Sequence, residues 1–306
     1  MTNSNIILII LLCPFLLFAE LGDVLHTLPA PGHYSTGLAW DGEHLWVVNI
    51  ADASHPDNDW YQIYQISPED GEVLSSIPTY PWFYHGLTFH NGYLWGEHNY
   101  NEVVKMTTAG EVLFQFPVNM LAVGLAYDWV NGILYQSSTQ PGAIFAYDPE
   151  TGTLLSEFHL QTGMEHGWGD LAFDGTNLWH TNSSEELIYK LDPNSGEILT
   201  QFAAPSTQCQ GLTFDGEFLW VSDSNLELIY KVDIEFEPTD PCSEYELGDS
   251  NLDGQINVLD ILVIVNYILG PGNDLPLCQS LTMDPNHDGS YNVVDIIYIV
   301  NIILEG

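Results

Sequence analysis

Two twelve-residue stretches near the end of this 306-residue chain gather oxygen-bearing side chains at matched spacing: DSNLDGQINVLD from Asp249 to Asp260, and DPNHDGSYNVVD from Asp284 to Asp295. Each offers a carboxylate or amide oxygen at positions 1, 3 and 5, a glycine at 6 where the chain must turn sharply, and a carboxylate at 12. That is the donor set of a Ca²⁺ loop, because a hard cation takes oxygen ligands only and the loop must fold back on itself to supply them. By position, Asp249, Asn251, Asp253 and Asp260 bind a first ion, with the Gln255 carbonyl and a water held by Asn257. Asp284, Asn286, Asp288 and Asp295, with the Ser290 carbonyl and Asn292, bind a second. Two full copies of the pattern outweigh the alternative of two acidic turns that bind nothing.

Each loop runs into an apolar stretch, ILVIVNYIL or IIYIVNIIL, read as one helix per loop. With Asn at position 9 and Asp rather than Glu at position 12, the duplicated unit over residues 248–306 resembles a dockerin. The resemblance implies a cohesin-type protein partner and membership of extracellular polysaccharide-degrading assemblies. Positions 10 and 11 depart from it: they are Val258-Leu259 and Val293-Val294, where such dockerins often carry polar recognition residues, and neither helix has a Lys or Arg. A hydrophobic cohesin surface, or the chain's own amino-terminal domain, is expected to cover them. Cys242 precedes the first loop by seven residues and Cys278 the second by six. The internal two-fold of the unit brings them to related places, so a Cys242–Cys278 disulfide is predicted, with Cys209 unpaired and buried.

The domain ahead of this unit is built from a repeat whose clearest copy is DLAFDGTNLWHTNSSEELIYKLDPNSGEIL, from Asp170 to Leu199. Four short strands joined by tight turns, recurring at about forty residues, are the pattern of a β-propeller blade. First strands begin at TGLAW (Thr36), HGLTF (His85), VGLAY (Val123), GDLAF (Gly169) and QGLTF (Gln210). The last copy supplies three strands only, ending at Asp233, and GDVLHTLPAP from Gly22 matches the missing fourth. The amino-terminal strand is therefore expected to complete blade five and close the ring, which removes exposed sheet edges. Asp41-Gly42, Asn91-Gly92, Asn131-Gly132, Asp174-Gly175 and Asp215-Gly216 mark the first hairpins, as pairs that tolerate a type I′ turn. The Leu-Trp or Leu-Tyr pairs that follow recur at one blade position, which assigns them to packing between blades. All three basic residues, Lys105, Lys190 and Lys231, likewise share one place on the third strand and make poor catalysts.

In a propeller, the loop leading into the first strand and the loop between the second and third strands open on one face around the axis. Function is sought there. That face would gather Trp60, Trp82, Tyr84, Tyr100 and Trp168 as ligand-facing aromatics beside His85, Glu97, His98 and His166. Aromatics among amides, acids and imidazoles suit stacking and hydrogen bonding to a sugar or peptide; loops that merely pack on one another are an equal alternative. The run HGWGDLAFDGTNLWHTN from His166 and the GLTF strands resemble the five-bladed glutaminyl cyclase family. That resemblance implies an acidic residue directly before a blade's Gly-Leu, where this chain has Thr36, His85, Val123 and Gln210; Glu97 alone lands near a comparable acid/base position. Glu97, His85, His98 and His166 are thus the catalytic candidates if the propeller is an enzyme, a glutaminyl cyclotransferase or a glycan-active one.

Composition bounds the rest. Three Lys and Arg against 42 Asp and Glu give a net charge of −39, a field that repels phosphate backbones and anionic lipid surfaces, so nucleic acid is excluded as a partner. The apolar run Ile6–Ala19 is short for a membrane span and reads as a secretory signal, with no membrane insertion after cleavage. Expected divisions are a signal at residues 1–19, a propeller at 20–233, a linker at 234–247 and the dockerin unit at 248–306. The chain is read as mostly β with a small α-helical module, secreted to the medium or cell surface. Binding through the propeller is preferred to catalysis.

Overall fold

The computed structural model describes residues 20–50, 62–78, 83–118, 121–140, 142–160, 169–236, 242, 245–270, 275–285 and 290–305, with the side chains at 83 and 84 left aside. The signal region, Trp60, Trp82, His166, Trp168, Asn286 and Asp288 therefore lie outside the described residues, as does the side chain of Tyr84.

Among the described residues, twenty strands form five antiparallel four-stranded sheets. Blades one to four run in chain order, beginning at Ser35–Trp40, Phe83–His90, Ala122–Asp128 and Leu171–Phe173. In blade five the order is Val24–Pro29, Leu228–Val232, Leu219–Asp223, Cys209–Phe214, so the amino-terminal strand is its outer edge and closes the ring. Leu28, at 1% exposure, is the inward anchor of that strand.

The Leu-Trp aromatics pack between blades. Trp46 of blade one lies with Leu87, Leu94 and Val104 of blade two, and Trp220 of blade five with Leu38 and Leu45 of blade one. Their indole N–H groups donate to the hairpin aspartates: Trp46 to Asp41 at 2.7 Å, Trp179 to Asp174 at 2.9 Å and Trp220 to Asp215 at 2.8 Å. Lys190 and Lys231 complete this staple, 3.4 and 3.0 Å from Asp174 and Asp215. The lysines are thus absorbed by architecture.

The hairpin chemistry differs from expectation at these aspartates. Only Asn91-Gly92 has both central residues at positive φ, 51° and 82°, as a type I′ turn requires. At Asp41, Asp174 and Asp215 the loop is longer: the Asp N–H reaches the carbonyl three residues on, and its carboxylate accepts the N–H groups between. The carboxylate can then also reach the Trp and Lys, which a two-residue turn would not allow.

Among its described residues the carboxy-terminal unit holds three helices, α1 (Val258–Leu269), α2 (Leu277–Thr282) and α3 (Val293–Glu305), one more than the apolar runs announce. Ile264, Met283 and Ile299 form its core, and Ile264 and Ile299 occupy equivalent places in the two copies. Cys242 and Cys278 are joined by a disulfide with 5.1 Å between Cα atoms. The chain after 233 begins by packing on the propeller: Ile234 is buried and Phe236 meets Phe214 edge-on at 4.8 Å. Among the described residues no helix is long and apolar enough to cross a membrane.

Candidate functional sites in the two loops and at the propeller axis

The first loop folds around its own acids. Asp249 accepts the N–H groups of Asp253 at 3.1 Å and Gly254 at 2.9 Å, while Asp260 accepts those of Asn251 at 3.0 Å and Asn257 at 2.8 Å. Gly254 makes the turn at φ 78°. Position 9 does double duty, since Asn257 caps α1 by accepting the Leu259 N–H at 2.9 Å and donates to the Gln255 carbonyl at 3.2 Å. The second copy repeats the contacts around position 9: Asn292 N–H to Asp295 at 2.8 Å, Val294 N–H to Asn292 at 2.8 Å, and Asn292 amide to the Ser290 carbonyl at 2.9 Å.

Asp249, Asp260 and Asp295 are at most 1% exposed, and residues 247–306 contain no Lys or Arg. Buried carboxylates in a unit that has no Lys or Arg call for a bound cation. The oxygen-only donor set and the position-6 glycine suit calcium. Among the described residues no three acidic, His or Cys side chains sit together at ligating distance, and in the first loop the Asp249 and Asp260 carboxylates are turned onto backbone N–H groups.

At the propeller axis the first strands approach so closely that a Cβ at Gly37 would stand 1.8 Å from the His85 carbonyl, and one at Gly211 2.5 Å from that of Thr36. This explains the Gly of each Gly-Leu pair. Blade four breaks the rule with Asp170, whose carboxylate accepts N–H groups from Leu38 (3.3 Å), Leu125 (2.9 Å), Leu171 (2.9 Å) and Leu212 (3.2 Å), drawn from four blades. Asp170 is not among the candidates named from the sequence, and its signal there is an Asp in the one blade of five that lacks this Gly.

Glu97 is the second departure. Blades three, four and five carry Ser137, Thr181 and Ser222 at its position, and each hydroxyl donates to a carbonyl of the next blade, of Gly169, Gln210 and Ser35 respectively. Glu97 instead accepts from the N–H of Gly86 at 3.3 Å and from that of Gly124, at 0% exposure. Its other oxygen, Oε1, has no hydrogen-bond partner among the described residues. Burial, then the Asp170 charge, push its pKa well above the usual range. Burial raises Asp170 too, against its four N–H donors. The four N–H donors favour the charged form of Asp170, so of the two carboxyls Glu97 is the one more readily held neutral.

Among the described catalytic candidates, His98 is turned away from Glu97. His98 follows Glu97 on the strand, so its side chain takes the other face, and it pairs with Glu102 at 3.0 Å. His85, at φ 55°, lies 5.8 Å from the Tyr100 ring, and burial lowers its pKa to about 4. Cys209 is buried, with its thiol pushed up to about 11 by that burial.

Residues 247–304 match the type I dockerin domain. No curated protein matches the chain. Among solved structures it is similar to glutaminyl cyclase from Myxococcus xanthus, at 14% identity and TM-score 0.58 over 70% of this chain and 97% of that one. Virginiamycin B lyase from Staphylococcus aureus is 19% identical with TM-score 0.41 over 67% and 68% of the two chains. At such identity the first likeness shows the fold alone. Dockerin domains bind calcium and dock to cohesins. The chain is a five-bladed β-propeller that carries, at residues 247–304, a type I dockerin domain.

Proposed function

We propose that this chain is exported, loads two calcium ions and docks onto a cohesin-type partner, presenting its propeller as a binding module in extracellular polysaccharide-related assemblies. The ions are assigned to Asp249, Asn251, Asp253, Gln255, Asn257 and Asp260, and to Asp284, Asn286, Asp288, Ser290, Asn292 and Asp295. The observation that carries this reading is the contact-for-contact match between Asn257–Asp260 and Asn292–Asp295, which gives both loops the same buried acid and the same capped helix. Supporting the docking role, α1 and α3 expose equivalent aliphatics: Val258 and Val293 at 62% and 61%, Leu259 and Val294 at 51% each. The propeller leaves these residues uncovered, so a separate partner is the expected cover.

For the propeller, binding of carbohydrate or peptide is preferred to turnover because Glu97 is fully buried and held by backbone N–H groups. Calorimetric titration of the chelated protein with calcium tests the first part, with two ions expected. A cohesin domain should then bind the calcium-loaded chain and release on chelation. Saturation without calcium uptake, or cohesin binding indifferent to chelator, overturns the reading. Turnover of a glutaminyl peptide or polysaccharide, lost in Glu97→Gln, would establish the enzymatic alternative.

A further inference from the structure

The dockerin is seated on the propeller through its short helix α2 and the Cys242–Cys278 bridge. The Leu277 N–H, at the start of α2, donates to the Trp129 carbonyl in the first hairpin of blade three at 2.8 Å. Pro276 lies against Gly132 of the same hairpin. Cys242 and Cys278, 8% and 1% exposed, share one apolar cluster with Val130 and Tyr135 of blade three and Leu171 and Phe173 of blade four, and Tyr245, Leu252 and Leu277 pack against it.

The same short helix also holds the first calcium loop. The Gln279 amide donates to the Ser250 carbonyl at 3.0 Å, the Gly248 N–H donates to the Thr282 carbonyl at 2.9 Å, and Leu252 is the fourth residue of that loop. An unbroken run of contacts thus leads from the loop acids through α2 into the wall of blades three and four.

We propose that α2 couples the two domains, so that calcium bound at residues 249–260 stabilises the propeller as well as the dockerin. The inference rests on the calcium reading above. A ligand that binds only the folded form stabilises everything that must unfold with its site, and a shared apolar cluster makes the blade wall part of that unit. The propeller would then be held in a fixed orientation beneath the docking face.

Two probes separate the domains within the intact chain. All nine tryptophans precede residue 221, so tryptophan fluorescence follows the propeller, while every helix among the described residues lies after 257, so ellipticity at 222 nm follows the dockerin. Thermal unfolding of the full chain with calcium or chelator should show both midpoints rising together with calcium, the fluorescence midpoint by about 5 °C or more. In Leu277→Asp the fluorescence midpoint should become indifferent to calcium while the 222 nm midpoint still responds. Asp260→Asn should reduce the calcium response of both probes, which keeps the test decisive if Leu277→Asp fails to fold its helices. A wild-type fluorescence midpoint unmoved by calcium, with the 222 nm midpoint still responding, overturns the coupling and leaves the calcium reading intact. If neither midpoint responds, the calcium reading fails and the coupling with it.

Discussion

The backbone N–H of Leu212 in blade five points at the carboxylate of Asp170 in blade four at 3.2 Å, and Leu38 and Leu125 direct theirs at the same group from blades one and three. One side chain thereby ties four blades at the axis. Asp170→Asn places an N–H₂ among inward-pointing donors, and Asp170→Gly leaves those donors without an acceptor. Either should destabilise the propeller by about 2–3 kcal/mol, read as a lower urea midpoint in tryptophan fluorescence. An unshifted midpoint in both variants would show that the donors find other partners.

Glu97 sets a pH dependence whose sign follows from its raised pKa. A carboxyl with a folded-state pKa above its unfolded value binds more protons when folded, so its contribution is fully present below about pH 4.5 and is lost as pH rises through the folded value. Glu97→Gln keeps an acceptor oxygen for the Gly86 N–H and removes the titration. The variant should match wild type near pH 4 and exceed it in melting temperature at pH 7 to 8. A lower melting temperature at pH 7 than wild type would mean that the charged carboxylate is the stabilising form.

Closure of the ring depends on the strand Val24–Pro29. Deleting residues 22–31 opens the Leu228–Val232 edge and uncovers the cluster around Leu28 and Trp220. Loss of the monomer peak in size-exclusion chromatography, with aggregation, is expected. A soluble monomer with wild-type melting would place the closing strand elsewhere.

Asp260 and Asp295 each accept the position-9 N–H ahead of a helix and are buried. In the calcium-loaded protein, Asp260→Asn should weaken calcium uptake at one loop by at least tenfold and leave the other titrating, which calorimetry resolves as one tight and one weak site. Equal weakening of both loops would mean that they bind as a single cooperative site.

Repetition made much of this molecule legible from residues alone. The first strands from TGLAW to QGLTF and the Leu-Trp or Leu-Tyr second strands counted five blades, the orphan GDVLHTLP matched the fourth strand that the last copy lacks, and the twelve-residue loops carried their own turn glycine and helix cap. Local periodicity and turn chemistry act over a few residues, so a sequence displays them directly. The axis was another matter. Asp170 and Glu97 matter because backbones from blades 37 to 212 residues along the chain meet there, and that convergence exists only once the ring is closed. The seat of α2 on Trp129 is a contact between residues 129 and 277, set by the shape of two finished surfaces. Local pattern therefore determined which elements form, and tertiary packing decided which carboxyls are buried and which domain leans on the other.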